Sequence, residues 1–119
     1  MLASIEIKNI PNKKVLPWLS TMEDISKRNS GCLGLSNREK QEVIPVTVKE
    51  IRKYSGLLEV FMKEKDFSRM MRYCIMLSGK LPKARIYFSV KGADDSYSYE
   101  YLLLNKRVIP LLYEDQKES

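Results

Sequence analysis

Short runs of alternating apolar and polar residues are separated by two stretches of helical spacing. In the first run Ile5 and Ile7 fall on one side, Glu6 and Lys8 on the other, and Pro11 stops it. Strict alternation of this kind marks a half-buried strand. Pro17 suits the first turn of a helix. Trp18, Leu19, Met22 and Ile25 follow at helical spacing with charges between them, so a helix is predicted over residues 17–28. Residues 29–41 are rich in Gly, Ser and Asn and read as a loop. Ile44, Val46 and Val48 then alternate with Pro45, Thr47 and Lys49 in a second strand. Pro45 has no N–H to give a ladder, which puts this strand at a sheet edge. Leu58, Val60 and Met62 alternate with Leu57, Glu59 and Phe61 in a third strand. Asp66 is a suitable N-cap for a helix over residues 67–78, with Phe67, Met70, Met71, Cys74 and Leu77 on its apolar stripe and Gly79 at its C′ position. Ile86, Phe88 and Val90 alternate with Arg85, Tyr87 and Ser89 in a fourth strand.

The predicted order is strand, helix, strand, strand, helix, strand. That is the split βαβ, or ferredoxin-like, order of an α+β sandwich. Right-handed crossovers put the first and third strands in the sheet centre, the second and fourth at its edges, and both helices on one face. Beyond it, Tyr97, Tyr99 and Tyr101 alternate with Ser98 and Glu100, which predicts a fifth strand after a turn at Gly92–Asp95. Residues 108–113 read as a sixth strand or a short helix, with Pro110 arguing against a central strand. The chain is therefore expected to form a βαββαβ domain over residues 1–91, with a β extension over 92–119 packed on it and an acidic tail at 114–119. A winged helix is the alternative, with residues 47–54 as a helix and 84–104 as the wing.

Composition narrows the chemistry. The 119 residues are 44% hydrophobic and 30% charged, which suits one globular domain. No apolar run approaches the ~20 residues of a membrane span, and no secretory signal is visible, so an intracellular location, cytoplasmic or nuclear, is expected. There is no histidine, which removes histidine-based catalysis and histidine metal sites. The two cysteines, Cys32 and Cys74, lack CxxC spacing. The adjacent carboxylates Glu23-Asp24, Asp94-Asp95 and Glu114-Asp115 read as helix surface, turn and tail. No enzymatic activity, cofactor or metal is expected. Net charge is +6, unevenly spread: +3 over residues 1–62, +6 over 63–91 and −3 over 92–119. A basic middle of this kind suits a phosphate backbone.

Several segments resemble the RNA recognition motif family. Ile5-Glu6-Ile7-Lys8-Asn9-Ile10-Pro11 is similar to its first-strand hexamer, and Gly56-Leu57-Leu58-Glu59-Val60-Phe61-Met62 to its third-strand octamer. Lys65-Asp66-Phe67 resembles the start of its second helix. Leu77-Ser78-Gly79-Lys80 and Ala84-Arg85-Ile86 resemble its entry to the fourth strand. The resemblance covers residues 4–91. It implies an RRM-like fold and binding of RNA on the sheet face by stacked aromatic rings. The three stacking positions, however, hold Glu6, Leu57 and Glu59.

Two functions follow. The first is non-enzymatic nucleic-acid binding, with single-stranded RNA favoured. Its candidate site is Lys8, Lys49, Phe61, Arg85 and Tyr87 on the free sheet face, with Arg52 and Lys53 at a hairpin tip. Phe61 and Tyr87 would each stack a base and the cations would hold phosphates. The second is a protein-interaction or assembly subunit on an RRM-like frame, binding a protein partner or a second copy. The lost rings favour it, as does a basic second helix (Arg69, Arg72, Lys80, Lys83) beside an acidic tail.

Overall fold

The computed structural model describes residues 1–10, 32–36, 41–52, 55–94 and 96–111. Strands β1 (Leu2–Lys8), β4 (Thr47–Arg52), β5 (Leu57–Phe61), β6 (Arg85–Lys91), β7 (Ser98–Leu104) and β8 (Arg107–Pro110) form one sheet, in the order β4-β5-β1-β6-β7-β8. Every neighbouring pair is antiparallel. Strands β2 (Cys32–Ser36) and β3 (Gln41–Pro45) pair with each other in a second, two-stranded sheet. Helix α1 (Phe67–Lys80) follows a 3-10 turn at Glu64–Asp66. The protein is thus α+β, with a six-stranded antiparallel sheet and one helix among the described residues.

Alternation decides which side of the sheet is core. Ala3, Ile5 and Ile7 of β1, Leu58 and Val60 of β5, Ile86, Phe88 and Val90 of β6 and Leu103 of β7 are all buried. They form one cluster with Met70, Tyr73, Cys74 and Leu77 of α1, joined by Ile44 and Val46. The intervening residues point to the opposite face, where no strand side chain is buried. Period two in the strands and a 3.6-residue stripe on the helix therefore meet in one core.

Several expectations need correction. The helix predicted at 17–28 lies outside the described residues, so the two-helix layer is represented by α1 alone. The stretch 29–41, read as a loop, contains β2, whose backbone pairs Leu33 with Ile44 and Leu35 with Glu42. The predicted second strand is broken at Val46. Pro45 closes the β2–β3 ladder opposite Cys32, and the edge strand proper starts at Thr47. A proline can end a ladder but not continue it on both sides. Residues 47–52 are hydrogen-bonded to β5, which removes the winged-helix alternative. The fourth predicted strand, β6, is not an edge. Strand β7 pairs with it over Ser98–Leu103 and β8 beyond that, so the extension widens the sheet sideways. Pro110 sits in the outermost strand, as its missing N–H requires.

The helix also runs two residues further than Gly79 suggested, to Lys80. Leu81 N–H closes the last turn on the Leu77 carbonyl. At Gly79 the Lys106 methylenes cross the helix where a Cβ would stand. Ser78 explains the crossing. Its hydroxyl donates to the Ile75 carbonyl at 2.7 Å and accepts the Lys106 N–H at 2.8 Å. At the helix start, Asp66 occupies the N-cap position but makes no side-chain cap bond. Its buried carboxylate lies 3.4 Å from Arg69 instead.

Gly56, between β4 and β5, has φ +64° and lies against the Ile7 carbonyl. Its own carbonyl accepts the Ile7 N–H at 2.9 Å. A Cβ there would take up an unfavourable backbone region and strike the Ile7 oxygen, so the hairpin would have to leave β1. Gly56→Ala is expected to destabilise the protein by about 2 kcal/mol, of which the left-handed conformation accounts for ~1–2. Thermal unfolding beside wild type checks this; an unchanged Tm would contradict the strain argument.

Candidate nucleic-acid interface

The register sorts the uncovered face into cross-strand rows. Lys8 of β1 lies opposite Arg85 of β6. The next row inward holds Arg52, Leu57, Glu6, Tyr87, Leu102 and Ile109. A third row holds Glu50, Glu59, Ser4, Ser89 and Glu100. A fourth holds Thr47, Phe61, Leu2, Lys91 and Ser98. The seven predicted site residues therefore do not form one site. Lys8, Arg85 and Tyr87 come together at one end, with Arg52 in the Tyr87 row. Phe61 and Lys49 lie beyond the carboxylate row. Lys53 lies outside the described residues.

Each candidate ring carries a lysine. Lys8 Nζ is 5.7 Å from the Tyr87 ring centroid, and Lys49 Nζ is 6.0 Å from that of Phe61. Phe61 is 47% exposed, and Tyr87 is half-buried. Lys49 reaches Phe61 because it is the extra residue of a β-bulge, where the β4–β5 register shifts between Val48 and Glu50. A bulge with a charged residue also makes β4 a poor template for strand addition. The row between the rings matters most. Glu50, Glu59 and Glu100 cross the middle of the face and would repel a phosphate backbone running from Tyr87 to Phe61.

Charge is polarised along the strand axis. Lys8, Arg52, Arg85 and Arg107 all lie at the strand ends that meet the end of α1. Arg107 pairs with Leu104, one residue beyond the Ile86–Leu103 pair. The Ser78–Lys106 hydrogen bond brings the β7–β8 turn to the helix end, beside Lys80. Asn9 Nδ2 donates to the Lys83 carbonyl at 3.2 Å and brings that loop in as well. All seven of these cations are exposed. Two carboxylates are paired with cations of this end. Glu6 Oε1 is 3.5 Å from Lys8 Nζ, and Glu50 Oε1 accepts from Arg52 Nε at 2.8 Å. The Arg52 hydrogen bond holds the Glu50 carboxyl below the usual carboxylate range. The opposite end is mixed, with Lys63, Lys65 and Lys91 beside Glu64, Asp66 and Asp94.

Lys106 and Arg107 were missing from the sequence reading of the site. Their signal was Asn105-Lys106 between the apolar runs Leu102–Leu104 and Val108–Ile109. Both turn residues have positive φ, +43° and +70°, as a two-residue hairpin turn needs. The basic middle noted in the sequence includes the stretch 67–93, which contains no Asp or Glu.

Other chemistry is weak. Cys74 is fully buried in the core, and burial pushes its thiol far above the usual range, away from the reactive thiolate. Among the described residues no group of His, Cys, Asp or Glu side chains could hold a metal ion. No described helix is long and apolar enough to cross a membrane. Compared with known proteins, the chain matches no family model, no curated protein and no solved structure.

Proposed function

We propose that the protein is a non-enzymatic nucleic-acid-binding domain, RNA favoured, that grips the phosphate backbone with the basic end of its sheet. The observation that supports this is the gathering of seven exposed cations, Lys8, Arg52, Lys80, Lys83, Arg85, Lys106 and Arg107, at that end, of which, among the described residues, only Lys8 and Arg52 are paired there with carboxylates, Glu6 and Glu50. Clustered, exposed cations concentrate a polyanion by counterion release. Tyr87, one row in from Lys8 and Arg85, supplies a stacking surface where the backbone would be held. Phe61 is cut off from this end by the glutamates. The strand order β4-β5-β1-β6 is that of a ferredoxin-like sheet, so an RRM-like frame is the architecture we favour. Binding would differ from the RNA recognition motif pattern in using the strand ends, not the sheet centre. An intracellular setting, cytoplasmic or nuclear, belongs to the same proposal, because the ligand is found there.

One observation favours a second reading. The Glu50–Glu59–Glu100 row, beside half-buried Leu57, Leu102 and Ile109, suits a mixed-charge protein surface. The face would then bind a protein partner or a second copy.

A fluorescence titration separates them, using labelled oligouridylate, oligodeoxythymidylate and an RNA duplex at low and near-physiological salt. The expected result is affinity that falls steeply with salt yet persists at the higher value. Tyr87→Ala should weaken single-strand binding about ten-fold, within the ~1–3 kcal/mol of one stacked base. Phe61→Ala should stay within about twofold, as a residue outside the site. Binding that vanishes at near-physiological salt and ignores Tyr87→Ala would leave the protein-interaction reading standing.

A further inference from the structure

A groove opens on the helix side of the same basic end. Arg72, Ile75, Met76, Gly79 and Lys80 of α1 line it together with Lys106 from the β7–β8 turn, and its volume is about 520 Å³. The helix residues follow i, i+3, i+4, i+7, i+8 spacing and so share one face. Ile75 and Met76 make an apolar floor. Gly79 contributes no side chain, and Lys106 crosses the helix there. The turn is fixed, because the Lys106 N–H is hydrogen-bonded to buried Ser78. No carboxylate is among the lining residues. The volume falls within the ~300–1,000 Å³ of small-ligand sites.

The groove is continuous with the candidate interface. Lys106 precedes Arg107, which faces Leu104 beside the Arg85 row. A cationic path therefore runs from Lys8 and Arg85 on the open face, round the end of the sheet, to Lys106 and Lys80 on the helix face. We infer that a single strand of nucleic acid follows this path and inserts one unstacked base into the groove, against Ile75 and Met76. This rests on the function proposed above and names the form of nucleic acid and a second contact site. Two arguments carry it. The first is charge: a cationic rim without carboxylates over an apolar floor complements a base with its flanking phosphates. The second is curvature. The path folds from one sheet face to the other within a single domain. A duplex, stiff over ~150 base pairs, does not bend so sharply, whereas a single strand turns at every phosphate. Methionine also suits the ring, since its thioether packs well on aromatic faces.

Photocrosslinking tests the path on the wild-type protein. Oligouridylate of about 12 nucleotides, within the span of single-strand sites, is irradiated with the protein, and the tryptic peptides are mapped by mass spectrometry. The expected result is a crosslink in the peptide Tyr73–Lys80, beside one in Ile86–Lys91. Oligodeoxythymidylate should give the same pair, since the chemistry used is shared. Met76→Ser is the matching variant. It should weaken oligouridylate about ten-fold and leave an RNA duplex within about twofold. Single-strand binding with crosslinks confined to Ile86–Lys91 would overturn the groove and leave the basic-end reading intact. Equal affinity for single strand and duplex would do the same. Absence of nucleic-acid binding altogether would remove both. A groove built for an acidic amphipathic peptide would show itself by losing no oligouridylate affinity in Met76→Ser.

Discussion

Phe88→Ala is expected to lose about 3–5 kcal/mol of stability, the usual cost of removing a buried aromatic ring. That is a large share of the ~5–15 kcal/mol that holds a domain folded. Phe88 is fully buried in the middle of β6. It lies opposite Ile5 of β1 and Tyr101 of β7. Its ring stacks on Phe67 at 5.9 Å and on Tyr101 at 6.2 Å. Such pairs add ~0.5–1.5 kcal/mol beyond the area they bury. The same ring thus joins the helix start, the central strand and the first strand of the extension. The cavity would be bounded by three strands of one ladder, which cannot close over it. Urea unfolding followed by circular dichroism reads the effect. Tyr99→Ala is the control. Tyr99 is 56% exposed, and its loss should change stability by no more than about 0.5 kcal/mol. If β7 and β8 were only loosely attached, Phe88→Ala would give two separate transitions. One cooperative transition at lower urea is expected.

How much of this was readable beforehand depends on what burial demands of sequence. Ile5/Ile7, Leu58/Val60 and Ile86/Phe88/Val90 had to alternate, because a strand with one buried face permits no other pattern. These strands and the α1 stripe were therefore legible, and so was the order β4-β5-β1-β6. Strand β2 was not. Its Gly34 and Ser36 carry turn chemistry, and its partner is a short strand ending in Pro45. Backbone pairing there leaves little trace in composition. Gly79 misled for a related reason. A glycine after an apolar stripe usually marks a helix end, but here the helix runs on to Lys80 and the Lys106 chain, 27 positions away, crosses over the glycine. The open face was legible in its parts and not in its layout. Lys8, Arg85 and Tyr87 were identified correctly as facing the open side. Their separation from Phe61 depends on a register that aligns Glu50 and Glu59 of one hairpin with the distant Glu100. The charge of residues 63–91 pointed to a basic surface. That it gathers at one end with Arg107 follows from the β6–β7–β8 meander, which charge counting along the chain does not see.

Charge reversal at the two ends of the sheet should have very different effects on nucleic-acid affinity. In a Lys8→Glu, Arg85→Glu variant the cross-strand cation pair becomes a pair of carboxylates next to Glu6. Lys8 is also the cation over Tyr87 and the partner of Glu6, so its loss frees the Glu6 carboxylate to repel the same phosphate. The expected result is a loss on the order of 100-fold at low salt, since two attractive contacts become repulsive. The slope of log affinity against log salt should also fall, by about 0.7 for each phosphate contact removed from a single strand. Lys49→Glu with Lys91→Glu makes the same change in net charge on the same face, beyond the glutamate row. If affinity follows net charge alone, the two variants will weaken binding equally, and the basic end has no special role. If a site exists at that end, the second variant should lose no more than about three-fold and keep its salt slope. Both pairs lie on exposed strand positions, so stability is expected to stay within about 0.5 kcal/mol per site and circular dichroism should report unchanged folding. The comparison holds total charge, exposure and sheet face constant and varies only position along the strands. Position is what the register contributes beyond the composition of the chain.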